Sequence, residues 1–494
     1  MTAMEKGADV DASTSTTSSR LYTYDLAPTQ KEGRRWGAYN VFTLWGNDVH
    51  SLGNYAFAIG LFAIGLNVWG ILAAFLLASL LLFLLLTLSG YMGHKTGVPF
   101  PVMSRIAFGT KGAQIPAAVR GLVAIAWFGI QTYLASEVLS TLLVAMFPSL
   151  ESLKAQSVLG LPLLGWITFL SLWVVQVLIA SYGMHVIRRY MAIAAPTTLI
   201  TMLALAIWMF IRAGGSISLS TSQPLVGTDM WLHVLEGAAL WVVIYGTFVL
   251  NFCDFTRSAK SRQSIIRGNL IGIPVNMLFF AVIVVVLSGA QFKLDGKIIT
   301  SPTDIVQTIP NMVLLAAASI ALIVLTIAVN LLANFVAPIY VLVNLFPRHL
   351  NFRRAALVSA IIGLIILPWN LYNSPVVVNY FLGGLGALLG PLFGVIMADY
   401  WLIRRTRVNV PELYSEDENG EYHYRGGYNP KAVGAFIPAA AIAVIVALVP
   451  VFGAASGFSW FIGAILGAII YAVIADRKPD ATDVDGESIA VAAE

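Results

Sequence analysis

With 58% hydrophobic and only 11% charged residues among 494, the chain falls far below the roughly one-quarter charged content of a soluble domain. One cysteine, Cys253, and six scattered histidines exclude a disulfide within one chain, a thiolate metal cluster and a histidine-ligated catalytic centre. The formal charge of +4 lies in short loops between apolar runs, so it reports membrane topology rather than a nucleic-acid partner.

Apolar runs of about 20 residues, each able to cross about 30 Å of hydrocarbon, recur from Trp36 to Ala475. They are continuous in Leu, Ile, Ala and Val instead of alternating, which predicts helices and not barrel strands. The expected fold is an all-α integral membrane protein. Its twelve transmembrane helices fall at 37–64, 68–92, 115–146, 160–184, 189–211, 232–254, 268–290, 311–343, 354–370, 376–403, 432–450 and 457–475. The chain then divides into a cytoplasmic N-terminal segment (1–35), a ten-helix transport core (36–403), a cytoplasmic loop (404–431), helices 11 and 12 (432–475) and a cytoplasmic tail (476–494). The Ser/Thr-rich start has no apolar signal core and the tail is acidic, so both ends read as disordered.

The first span reads LWGNDVHSLGNY, placing Gly46, Asn47, Asp48, His50, Ser51, Gly53 and Asn54 at membrane depth. A lipid-facing helix would carry Leu and Val there, so this helix is expected to break and free backbone groups for an ion or substrate. Glycine-mediated packing is the simpler alternative. In the third span, Trp127 and Gln131 stand one turn apart on one face, with Gly129 between them. An indole plate beside a carboxamide suits a small polar ring; each alone would also serve helix packing.

The sixth span, WVVIYGTFVLNFCDF, carries a second expected break at Gly246 and Thr247, beside Tyr245. Tyr245 either packs or faces Trp127 across a bound ring, and Cys253 packs between helices. Asp254, at the cytoplasmic end, is expected to pair with Arg257 or another loop arginine, in a structural or gating role. The eighth span places Asn330 and Asn334 one turn apart before Pro338. Buried carboxamides cross-link helices or bind a solute, and Asn334 is the better ligand, Asn330 the better structural residue. Asp48, Glu137 and Glu236 are carboxylates in or near apolar runs and so candidates to carry a proton, Asp48 first among them.

Twelve spans put both termini on one side, and the positive-inside rule makes it the cytoplasm. Only Lys154, Arg212, Lys293 and Lys297 fall on the opposite face. The breaks in helices 1 and 6 are five helices apart, matching a five-plus-five inverted repeat followed by two additional helices.

Four stretches, GVPFPVMSRI (97–106), WFGIQTY (127–133), NLLANFVAPIY (330–340) and LGPLFGVIMADYWLIRR (389–405), give the chain a resemblance to the nucleobase-cation-symport-1 family over about Leu21 to Ala475. That family takes up hydantoins, allantoin, uracil, cytosine and related compounds. The resemblance implies a LeuT-like fold with helices 1 and 6 broken and substrate held between the bundle and a four-helix scaffold. It places the stacking tryptophan on Trp127, the ring-binding glutamine on Gln131 and the substrate asparagine on Asn334. The second stacking position falls on Tyr245, where hydantoin and allantoin carriers typically have tryptophan. The family's sodium site would use carbonyls of Asn47, His50 and Leu325 with two adjacent hydroxyls, but Ala328 and Val329 stand at the hydroxyl positions. A hard cation needs oxygen ligands and Thr326 is out of place, so proton coupling is expected, with sodium as the alternative.

The expected function is therefore uptake of a small planar, amide-containing heterocycle across a bacterial inner membrane, with no cofactor and no obligate protein partner. An amino-acid or organic-amine carrier on the same fold is the runner-up. A membrane enzyme lacks a catalytic set, and an ATP-driven pump would need a phosphate-binding loop that the chain does not have.

Overall fold

The computed structural model describes residues 20–298, 302–373, 384–478 and 481–489. The beginning of the N-terminal segment, the first turns of the tenth span (376–383) and the last residues of the tail lie outside them.

The first apolar stretch forms two helices, α1 (Ala38–Asp48) and α2 (Leu52–Ala63). Ser51 separates them in an extended conformation, and its hydroxyl accepts from the Asn54 N–H to cap α2. There follow α3 (Val68–Thr96), α4 (Gln114–Met146), α5 (Leu163–Ser181) and α6 (Met184–Arg212). The sixth stretch is also split, into α7 (Gly227–Ile244) and α8 (Gly246–Asn251), at Tyr245. The remainder comprises α9 (Arg262–Asp295), α10 (Met312–Leu345), α11 (Phe352–Ile365), α12 (Gly384–Ile403), α13 (Pro430–Leu448) and α14 (Ser459–Ile474).

Among the described residues, eight helices (α3, α4, α5, α6, α9, α10, α12 and α13) are long and apolar enough to cross a membrane, and α2 and α14 are shorter apolar helices. The ninth expected span is interrupted: α11 ends at Ile365 and Leu367 turns to φ 50° before a short turn at Pro368–Tyr372. Proline disfavours helical geometry in the residue before it, which accounts for the stop. A two-residue hairpin pairs Ser157 with Pro162 and Val158 with Leu161 between α4 and α5.

Helix packing separates two groups. One joins α1 to the first turns of α9, and α3 to α7, α8 and α9; the other joins α4 to α5, α10 and α11. The third cluster, α12 with α13 and α14, is knit by close backbone contact: a β-carbon on Gly394 would lie 2.0 Å from Ala464 O. The glycines of α12 and α14 thus bring main chains together as small residues do between helices in lipid.

The ends are not disordered where described. Tyr414 donates to Leu26 O at 2.7 Å, Arg105 donates to Leu21 O at 3.1 Å, and the Asp25 carboxylate accepts from the Phe352 N–H at 2.9 Å. Lys31 pairs with Asp485 and Lys95 with Asp483. Residues 20–36 form a strap stitched to 485–487 and to the loops flanking α3, α9 and α11. Tyr22 and Leu26 give this strap an apolar underside, with Tyr22 packed on Tyr414, that composition alone concealed.

Candidate functional site

The two breaks meet. Asn54 donates its Nδ2 to the carbonyls of Asp48 (2.9 Å) and Val49 (3.2 Å) and to the Tyr245 hydroxyl (3.1 Å). The carbonyls freed by unwinding are therefore claimed by a side chain of the same helix. The Asp48 side chain is buried at the same junction. The Tyr245 ring is fully buried against Trp45, Trp241 and Phe248, so the stacking plate expected of it is covered and its hydroxyl is the working end.

His50 faces away from this junction. Its Nε2 donates to Asn276 Oδ1 at 3.1 Å, so its Nδ1 accepts from the Tyr55 hydroxyl at 2.8 Å. Asn276 in turn donates to Trp45 O, locking the break of the first helix to α9. The imidazole is thus committed to packing and only its carbonyl is left for an ion. Asn47 donates to Thr43 O and Met191 O, while its buried Oδ1 has no partner. Gly46 permits this approach to α6, since a β-carbon there would lie 3.1 Å from Ala195 Cβ.

On α4, Trp127 is half-buried and belongs to no ring pair among the described residues. Gln131 is buried one turn further on, its Oε1 without a hydrogen-bond partner. Its Nε2 lies against the first-helix break: a β-carbon on Gly53 would come within 3.6 Å of it. Opposite, α10 widens into an i→i+5 turn over Asn330–Phe335 that turns both asparagines inward. Asn330 Nδ2 faces Phe128 O (3.0 Å), Thr132 Oγ1 (3.0 Å) and Gln176 Oε1 (2.7 Å), and its Oδ1 accepts from Asn334 at 3.0 Å. Asn330 is saturated and joins α4, α5 and α10. Asn334 retains an Oδ1 with no donor among the described residues.

Thr326 donates to Leu322 O at 2.7 Å, a local helix bond, and Ala328 and Val329 are buried. The stretch from Leu325 to Val329 therefore presents no free hydroxyl. Glu137 is exposed and Glu236 half-buried beside Gly457, so neither shares the interior position of Asp48. Asp254 does not pair with Arg257 as expected. Its carboxylate accepts from Phe100 N (2.6 Å) and Asn251 Nδ2 (2.7 Å), whereas Arg257 donates to Thr29 and lies over the Tyr340 ring.

The sequence reading missed Arg120. Its buried guanidinium donates to Asn251 Oδ1 (3.2 Å) and Ala333 O (2.9 Å), bridging α4, α8 and α10 below the Gln131 level. The signal was available, because positions 120, 127 and 131 share one helical face. It also missed Gln176 and Asn276, and it noted Asn54 at the first-helix break without giving it the bridging role it has.

Two broken helices facing a polar wall inside a helical membrane bundle define a membrane transporter rather than an enzyme. Residues 28–463 match the family described as permease for cytosine/purines, uracil, thiamine, allantoin, and the chain belongs to that family. It is 36% identical over 470 residues to the allantoin permease of Bacillus subtilis (strain 168), covering 94% of this chain and 95% of that one. It is 31% identical over 415 residues to the purine-uracil permease NCS1 of Arabidopsis thaliana, covering 84% and 69% respectively. The fold matches MHP1, a nucleobase-cation-symport-1 transporter in a closed conformation with bromovinylhydantoin bound. That match has a TM-score of 0.75 and 23% identity, covering 92% of this chain and 95% of that one.

Proposed function

We propose that this permease takes up a planar nucleobase-like or hydantoin-like ring, allantoin among the candidates, by proton symport through alternating access. The observation that carries the ring reading is the buried, unpartnered Oε1 of Gln131, beside Nε2 at the first-helix break. An unpaired buried acceptor is costly, and a ring N–H would satisfy it. Trp127 supplies the plate and Asn334 the second polar contact, a set that suits a neutral planar ring. Tyr245 acts by placing Asn54, not by stacking.

Proton coupling is supported by the missing hydroxyls at Ala328 and Val329 and by the use of the Asp48 and Val49 carbonyls by Asn54. Asp48, buried at the junction of the breaks, is the proton carrier in this reading, ahead of Glu137. The same reading keeps twelve spans arranged as a five-plus-five inverted repeat with two added helices, both termini cytoplasmic, and a bacterial inner membrane as the location. Uptake into proteoliposomes should be unchanged when sodium is replaced by potassium or choline. It should rise as external pH falls from about 8 to about 6, and collapse with a protonophore. A steep sodium dependence of substrate affinity at constant pH would overturn proton coupling and return the site to the carbonyls of Asn47, His50 and Leu325.

A further inference from the structure

We infer that Trp460, on the last helix, is a positioning residue for the hinge in the sixth helix, although it lies outside the ten-helix core. Its indole is 1% exposed and its Nε1–H is buried without a partner. That edge is pressed against the break: a β-carbon on Gly246 would lie 2.8 Å from Nε1 and 3.2 Å from Cδ1. Gly246 directly follows Tyr245, whose hydroxyl meets Asn54. The ring is held from behind, stacked on Phe393 of α12 at 5.5 Å and edge-on to Phe461 at 5.1 Å. Its own carbonyl abuts Gly390, where a β-carbon would lie 2.2 Å away. Trp460 therefore projects from a clamp of α12 and α14 onto the break between α7 and α8.

An indole N–H left unpaired at membrane depth destabilises the conformation that leaves it so. The Tyr245 N–H bonds to Val243 O, two residues back, which takes the helical donor away from Trp241 O. A rearrangement of the break that turned one of its carbonyls toward Nε1 would pair that N–H. Trp460 thus favours departure from the present arrangement, while its ring limits how far Gly246 can move. The helices added to the inverted repeat become part of the transport cycle. This rests on the alternating access proposed above.

The test compares Trp460→Phe, which keeps the ring and removes the N–H, with Trp460→Ala, which removes both. Substrate affinity of the purified protein should stay within about threefold of wild type in Trp460→Phe, while its initial uptake rate falls about tenfold, about 1.4 kcal/mol of state preference. Amide hydrogen exchange over residues 238–251 should slow in Trp460→Phe and quicken in Trp460→Ala. A purely structural tryptophan would quicken exchange in both. Wild-type uptake by Trp460→Phe, or faster exchange in it, overturns the inference. Should Trp460→Ala fail to reach the membrane, Trp460→Phe alone decides, because only this inference expects slower exchange from a ring-preserving change. Ring binding and ion dependence of the wild-type protein are separate measurements, so failure here leaves the transport reading standing.

Discussion

Asn54 and Tyr245 join the two broken helices: the carboxamide of the first, already bonded to Asp48 O and Val49 O, reaches the hydroxyl of the second at 3.1 Å. Removing that hydroxyl should disconnect the breaks without emptying the core, because the ring still packs on Trp45 and Trp241. Tyr245→Phe is expected to leave thermal stability within about 1 kcal/mol and to lower uptake about tenfold. Tyr245→Trp, in contrast, must force a larger ring into a closed site and should destabilise by about 1–3 kcal/mol. Thermal unfolding in detergent alongside vesicle uptake separates the two.

Asn330 and Asn334, one turn apart, should fail differently. Asn330→Ala leaves Thr132, Gln176 and the Phe128 carbonyl short of a partner, at about 1–3 kcal/mol for each group that cannot re-pair. It should lower the unfolding temperature clearly. Asn334→Ala removes the free Oδ1 and leaves one buried acceptor, Asn330 Oδ1, without its donor, so stability should fall by about 1–3 kcal/mol, less than in Asn330→Ala. Ring affinity should fall about ten- to a hundredfold. Equal stability losses in both variants would place Asn334 in the structural network as well.

Asp48→Asn keeps a polar side chain at the junction but cannot lose a proton. Accumulation against a gradient should be abolished while substrate exchange at equal concentrations persists, as measured by counterflow. Loss of exchange together with accumulation would make Asp48 a substrate or folding residue instead of a proton carrier.

The N-terminal strap should respond to pH through Asp25. Burial raises this carboxyl above its usual 3.8, and the Phe352 N–H and Arg257 only partly offset that. A raised folded value means that the docked strap binds the proton more tightly than the released one. Docking is therefore strongest below the ordinary carboxyl value and weakens as pH rises through the raised one. Hydrogen exchange over residues 20–36 should quicken across that acidic window and level off above it. Asp25→Asn, which preserves an acceptor for Phe352, should flatten the dependence.

How far the sequence reveals this molecule depends on whether a signal is local. Both helix breaks were legible because polar and glycine residues interrupt otherwise apolar runs, and the Trp127–Gln131 and Asn330–Asn334 pairs because helical periodicity aligns them. Partner choice across helices was not. Nothing near Asp254 in sequence points to Phe100, and nothing near Asn330 points to Gln176. The strap escaped because Tyr22 and Leu26 find their apolar partners hundreds of residues away, and the choice between packing and stacking stayed open for Tyr245 because its burial depends on Trp45 and Trp241 closing over it.

The central claim is that Gln131 reads the edge of a ring stacked on Trp127. Its most direct test is equilibrium binding of uracil, cytosine, xanthine, allantoin and hydantoins to purified wild type and to Gln131→Ala and Trp127→Ala. The wild type should bind at least one of these rings saturably, and each variant should bind it at least about tenfold more weakly while unfolding at a similar temperature. Unchanged ring affinity in both variants, or binding confined to charged amines, would contradict the claim.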